Sequence, residues 1–199
     1  MDEFRIISEA QKGSLSAFNQ LVMAYQGTAY NVAYRVTGSS DAAADACQDA
    51  FLKAYKSLRQ YQGGSFKSWI LRIVTNTCYD HIRYSNRRPA TSLEDLVEEA
   101  AEHSANLINA DEPLEEHMLR GELAEWLQTG INKLPQDQRV VVVLCDVQGL
   151  SYQETAEIIE QPLGTVKSRL NRGRRRLRDF LLTQQELLPV QYRLEDRKQ

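Results

Sequence analysis

Cysteine, strand signals and long apolar runs are all scarce in this 199-residue chain. Its three cysteines, Cys47, Cys78 and Cys145, are odd in number and far apart, which argues against a disulfide framework. They sit beside apolar helix positions, where buried cysteine is common, and redox sensing is the less favoured reading. No stretch approaches the roughly 18 apolar residues that would cross a bilayer, so membrane insertion is not expected. The opening Met1-Asp2-Glu3-Phe4-Arg5 lacks the basic flank and apolar stretch of a secretory leader, and a cytoplasmic protein is expected. Neither GxxxxGK[ST] nor GxGxxG occurs, so no nucleotide cofactor is supported. His81, His103 and His117 are isolated and have no metal-ligand spacing with the cysteines, so no metal site is expected. No acidic pair is forced together, and no catalytic residue is assigned.

What is present is ordinary in bulk and uneven in detail. Hydrophobic residues make up 42% and charged residues 26%, a globular composition with a formal net charge of −3. That total disfavours nucleic-acid binding until it is divided along the chain. Residues 1–90 hold 11 basic and 7 acidic residues, residues 91–130 one basic and 11 acidic, and residues 131–182 nine basic and six acidic. Two mildly basic blocks therefore flank an acidic strip, a pattern of two modules and a connector. The domains read as 1–90, an acidic flexible linker at 91–112, a second domain at 113–182 and a tail at 183–199. The strip has few large apolar residues to bury, although a solvated helix face within one domain is the alternative.

The apolar period is helical. Ser14 can cap a helix carrying Leu15, Phe18, Leu21, Val22 and Tyr25, and a second segment carries Ala29, Val32, Ala33 and Val36 and stops at Gly38. Asp41 opens a segment through Leu58, Gly63-Gly64 breaks it, and Ser65 starts another through Ile82. The second block divides into Leu114 to Leu134, Pro135 to Val147, Ser151 to Ile159 and Leu163 to Leu182. The only β-branched run, Val140–Val143, does not alternate, so a buried helix fits it at least as well as a strand. The expected fold is all-α, with two small domains of four helices joined by a linker.

Ser151-Tyr152-Gln153-Glu154 fits a capping box, and Pro162 supplies a stop before a second helix that Gly164 or Thr165 can begin. On that second helix Val166, Leu170, Gly173 and Leu177 share a face. Residues 163–178 carry seven basic residues and no acid. Two helices across a tight turn, the second strongly basic, match a DNA-binding helix-turn-helix, here in a winged-helix-like four-helix domain. Lys167, Ser168, Asn171 and Arg172 are candidates for base edges, and Arg169, Arg175 and Arg176 for phosphates. A merely solvated basic helix, or one that binds an acidic protein, is the competing reading; docking on the chain's own acidic strip is compatible with DNA binding as a regulated closed form.

Residues 41–88, with DACQDAF followed by SFKSWILRIVTNTCYDHIR, resemble region 2 of bacterial extracytoplasmic-function (ECF) sigma factors, the small initiation subunits of RNA polymerase. Residues 134–181, with GTVKSRLNR, resemble their region 4. The resemblance implies that Asp45, Gln48 and Asp49 dock on the β′ clamp of core polymerase, with the β subunit also in reach. It implies that the loop from Gln62 to Ser68 and the helix after it read the −10 element as unpaired DNA. Ser65, Phe66, Lys67, Arg72, Asn76, Arg83, Arg87 and Arg88 are then the −10 set. Thr165, with Lys167, Ser168, Arg169, Asn171, Arg172, Arg175 and Arg176, forms the −35 set. Phe66 is balanced between core and base platform, and Trp69 leans to the core. The implied partners are core RNA polymerase, promoter DNA and an anti-sigma factor that could hold the chain at the membrane. The implied function is initiation without enzymatic chemistry. Gly173 departs from the Ala usual in the family, and the tail extends past its usual end. A stand-alone helix-turn-helix regulator and a helical interaction protein without a DNA role are the alternatives; the first block, which neither needs, separates them.

Overall fold

The computed structural model describes residues 2–87 and 114–183. Arg88, the acidic strip at 91–112 and the tail from residue 184 lie outside them. All regular structure among the described residues is helical. The first group comprises α1 (Glu3–Gln11), α2 (Leu15–Thr37), α3 (Ser40–Ser57) and α4 (Phe66–Arg87). The second comprises α5 (Leu114–Asn132), α6 (Gln136–Val142), α7 (Tyr152–Ile159) and α8 (Leu163–Thr183). The valine run is helical, as α6 continuing into a π turn at Val143–Val147.

Two expectations for the first group fail and offset one another. The segments on either side of Gly27 form one helix, α2, capped by the Ser14 side chain and ended by Gly38 at φ +79°. A mid-helix glycine costs about 1 kcal/mol relative to alanine. Burial of Ala17, Phe18 and Leu21 before it and Val32, Ala33 and Val36 after it outweighs that cost. The unforeseen helix is α1. Asp2 caps it by accepting from Arg5 N at 3.3 Å, and Ile6, Ile7 and Ala10 bury its inner face.

The two groups share a core. Val32, Val36, Leu71 and Val74 belong to the same buried cluster as Ile131, Val140, Val143, Leu144 and Ile158. Polar ties follow the seam. Arg35 Nη1 donates to Gln128 Oε1 at 3.0 Å, Arg139 Nη1 to Val36 O at 2.7 Å, and Gln148 Nε2 to Asn31 Oδ1 at 2.8 Å. Gly38 belongs to the same seam: a Cβ there would lie 2.7 Å from Asn132 Oδ1. A second cluster, including Leu134, Val141, Val142, Ala156, Val166 and Leu170, lies inside the second group and seats α8.

Candidate nucleic-acid interface

The helix-turn-helix is built from its caps. Glu154 N donates to Ser151 Oγ at 3.2 Å, and Ser151 N donates to Glu154 Oε2 at 2.9 Å, closing the capping box. The Ser151 hydroxyl also donates to Glu154 Oε2 at 2.7 Å, and that bond first, with the Ser151 N–H second, holds the Glu154 carboxyl below its usual range. The turn is not made by Pro162. It is made by Glu160, which adopts the left-handed conformation at φ +52° without being glycine. Pro162 serves the next helix instead: its carbonyl accepts from Thr165 N at 2.8 Å and Val166 N at 3.2 Å. α8 therefore begins at Leu163, as the Leu163 to Leu182 segment has it, and one to two residues before Gly164 or Thr165.

α8 buries Val166, Leu170 and Gly173 and half-buries Leu177. Gly173 is a packing requirement, since a Cβ there would stand 2.6 Å from Val142 Cγ2. Lys167, Ser168, Asn171, Arg172, Arg175 and Arg176 are exposed, and Thr165 is half-buried. Arginines flanking the buried face are claimed by acids. Arg174 makes two bonds to the Asp146 carboxylate, one of them Nε to Oδ2 at 3.0 Å, which pushes its guanidinium pKa up. Arg169 Nε lies 3.1 Å from Asp137 Oδ2 on α6. The sequence put Arg169 among the phosphate contacts; the structure turns it toward α6, because its position borders the buried stripe. Lys167, Arg175, Arg176 and Arg178 have no carboxylate within ion-pair distance among the described residues. Arg172 rests on its own helix, Nε donating to Ser168 O at 3.2 Å and Nη2 to Ser168 Oγ at 3.3 Å.

The first group carries the second candidate surface. Gly63 and Gly64, at φ +103° and +92°, form an open loop before α4. Tyr25, Tyr61, Phe66 and Trp69 cluster behind it, with Phe66–Trp69 and Tyr61–Trp69 centroids both 5.3 Å apart. Phe66 is only 2% exposed, so it supports the cluster from within and offers no face to a base. Trp69 is half-buried. Ser65 caps α4 by accepting from Ser68 N at 3.1 Å. Arg72, Asn76, Arg83 and Arg87 fall four, seven and four residues apart and share one stripe of α4. Asn76, Arg83 and Arg87 are exposed; Arg72 is paired with Glu160, Nη1 to Oε1 at 3.1 Å, where α7 packs on α4. Lys67 is half-buried on a different side of α4.

A third surface lies on α3. Its inner face is Ala43, Ala46, Ala50 and Ala54, and Asp45, Gln48 and Asp49 are exposed opposite. Without any local signal for it, His81 Nε2 meets Asp49 Oδ2 at 2.9 Å and Lys53 Nζ donates to Thr77 Oγ1 at 3.2 Å. Those contacts join helices separated by the glycine loop. Cys47 and Cys78 lie inward, their thiols pushed up to about 11 and about 12 by burial. Among the described residues no group of acids, histidines and cysteines could hold a metal ion, and no helix is long and apolar enough to cross a membrane.

Residues 21–88 match the family model for sigma-70 region 2, and residues 124–177 match that for sigma-70 region 4. The chain is 36% identical over 170 residues to the ECF RNA polymerase sigma-E factor of Escherichia coli strain K12, covering 85% of this chain and 88% of that protein. It is 35% identical over 171 residues to the ECF RNA polymerase sigma factor SigE of Mycolicibacterium smegmatis, covering 85% of this chain but 63% of that longer relative. Among solved structures, the sigma factor RpoE of Bartonella quintana, in complex with the anti-sigma factor NepR, is similar with a TM-score of 0.66 and 27% identity, over 84% of this chain and 98% of that one. CnrH in complex with the cytosolic domain of CnrY gives a TM-score of 0.64 and 26% identity, over 90% and 96% of the two chains.

Proposed function

The chain belongs to the ECF RNA polymerase sigma factors, and from that membership we propose that its two helical groups divide promoter recognition between them. A sigma factor binds core RNA polymerase and directs transcription initiation, a task that needs no covalent step from this subunit. In this reading α8 enters the major groove at the −35 element. Lys167, Ser168, Asn171 and Arg172 lie at base edges, and Arg175 and Arg176 lie at phosphates. Arg169 acts indirectly, by holding α8 against Asp137.

The Gly63-Gly64 loop and the exposed stripe of α4 meet the melted −10 strand, with Lys67, Arg83 and Arg87 supplying charge and Asn76 a base-edge partner. Arg72 joins them once its pair with Glu160 exchanges for a phosphate. Asp45, Gln48 and Asp49 dock on the polymerase clamp. The domains are the two helical groups, the acidic strip connects them through the polymerase, and the protein works in the cytoplasm. Regulation by an anti-sigma factor fits the complex with the anti-sigma factor NepR in which RpoE was solved.

The observation that carries this reading is the occurrence of region 2 and region 4 matches in one chain and in that order. Neither module need bind tightly alone, because each raises the local concentration of the other. The test is reconstitution with core polymerase on a randomised promoter library. Discrete start sites sharing upstream −35 and −10 motifs are expected. Duplex binding by the isolated chain without initiation would overturn the reading in favour of a stand-alone regulator.

A further inference from the structure

The loop at residues 61–65 has more conformational freedom than its neighbours, yet it is tied down at three points. Gly63 and Gly64 both adopt positive φ, and nothing lies within 4 Å of where their Cβ atoms would be. Two consecutive open glycines give a segment with the most backbone entropy to lose on ordering. Against that, the Tyr61 hydroxyl donates to Gly64 O at 2.7 Å and closes the loop on itself. The Gln11 side-chain amide, reaching across from α1, donates to Tyr61 O at 2.8 Å and Leu58 O at 3.1 Å. Both bonds span about fifty residues of sequence, and one amide nitrogen satisfies the two carbonyls where α3 gives way to the loop. The Tyr61 ring is itself wedged against Phe66, 5.5 Å between centroids, and Trp69. α1 is in turn fixed by burial of Ile6, Ile7 and Ala10.

We propose that Gln11 and Tyr61 are positioning residues for −10 recognition, with α1 as the anchor that preforms the loop before DNA arrives. This rests on the reading of the loop as the −10 reader. Neither side chain need touch DNA. Their contribution is to remove loop states that binding would otherwise have to select against, which raises apparent affinity in proportion to the fraction of loops already competent. The anchor comes from outside the segment matched to region 2, which begins at residue 21. The loop's recognition is thus conditioned by a helix that lies before the matched segment.

The test uses the full chain assembled with core polymerase on promoter fragments recovered from the library selection. The readout is the ratio of open-complex formation on a fragment and on its copy with a substituted −10 element. Tyr61→Phe keeps the ring and removes only the hydroxyl; Gln11→Glu keeps the shape and replaces the donor with an acceptor. Each should lower the ratio about threefold to tenfold, the range expected for losing one or two hydrogen bonds. Affinity for core polymerase and the −35 preference should not move. Amide hydrogen exchange at residues 59–65 should quicken in both variants while α2 and α3 stay protected. Lys67→Ala and Ser65→Ala separate the two ideas. If they lower the ratio and the Tyr61 and Gln11 variants do not, positioning is overturned and the −10 reading stands. If none of the four lowers it, the loop is not the −10 reader and both fall. Should Gln11→Glu fail to fold, Tyr61→Phe decides alone, and unchanged exchange or an unchanged ratio overturns the proposal.

Discussion

Arg172 and Arg174 lie two positions apart on α8, and their surroundings give them different work. Arg172 faces solvent and bonds only its own helix, whereas Arg174 is committed to Asp146. Arg172→Ala should therefore weaken −35 binding by about 1–3 kcal/mol and relax preference at one base pair. Arg174→Ala should lower the melting temperature and leave base preference intact. Competition binding by the holoenzyme on −35 variants checks both. Gly173→Ala sets two effects against each other. Helix propensity gains about 1 kcal/mol, but the new methyl meets Val142 Cγ2, and Val142 is 2% exposed and β-branched, so it cannot swing away. Overpacking of this kind costs about 1–3 kcal/mol. A net loss in urea unfolding is expected, where an exposed glycine would give a gain. Asp49→Ala should impair binding to core polymerase in a pull-down and leave −35 preference unchanged. His81→Ala, which removes the partner of that carboxylate, should move the same readout in the same direction.

At the scale of the element, α7, at eight residues, is the shorter helix of the helix-turn-helix and depends most on its caps. Removing the Ser151 side chain should cost about 1 kcal/mol, read by thermal melting of Ser151→Ala. The same box carries a pH signature. Glu154 has a lowered folded value, so its contribution is fully present above the ordinary carboxyl range and is lost as pH falls through that lowered value. The stability gap between wild type and Ser151→Ala should close over the lower part of a series from about pH 6 to about pH 3. α2 makes the converse point: its interior glycine sits far from its Ser14 and Gly38 ends, and burial on both sides carries the helix through.

For the whole molecule the question is what holds region 4 against region 2. The Arg72–Glu160 pair is conspicuous, but the two side chains are 40% and 67% exposed, and exposed pairs contribute about 0–1 kcal/mol. The apolar seam is larger: Ile131, Val140, Val143, Leu144 and Ile158 are nearly or wholly buried in a core they share with α2 and α4. Burying such side chains is worth about 1.5–3 kcal/mol each. Glu160→Gln should therefore leave the radius of gyration unchanged in small-angle scattering, and Ile131→Asp should raise it. The seam is also imperfect, since Ser68 Oγ and Thr75 Oγ1 on α4 are buried without a hydrogen-bond partner among the described residues.

Local signals determined much of this protein from the sequence. The 3.6-residue period, the caps at Ser14, Ser65 and Ser151, and the one-sided charge of residues 163–178 specify helices and a basic recognition face without reference to anything distant. Helix α1 is not legible there, because only Asp2 marks its start and only the burial of Ile6, Ile7 and Ala10 justifies it. Glu160 was missed as the turn because its left-handed backbone breaks the propensity that favours glycine there. Tertiary structure alone decided which charges on α8 are spent on Asp137 and Asp146, that Phe66 faces inward, and that Gln11 reaches the glycine loop. It also decided that two blocks of segregated charge share one core. The physical reason is common to all four: hydrogen bonds and burial between residues tens of positions apart depend on where the chain brings them, and sequence spacing encodes only neighbours within a turn or two of helix.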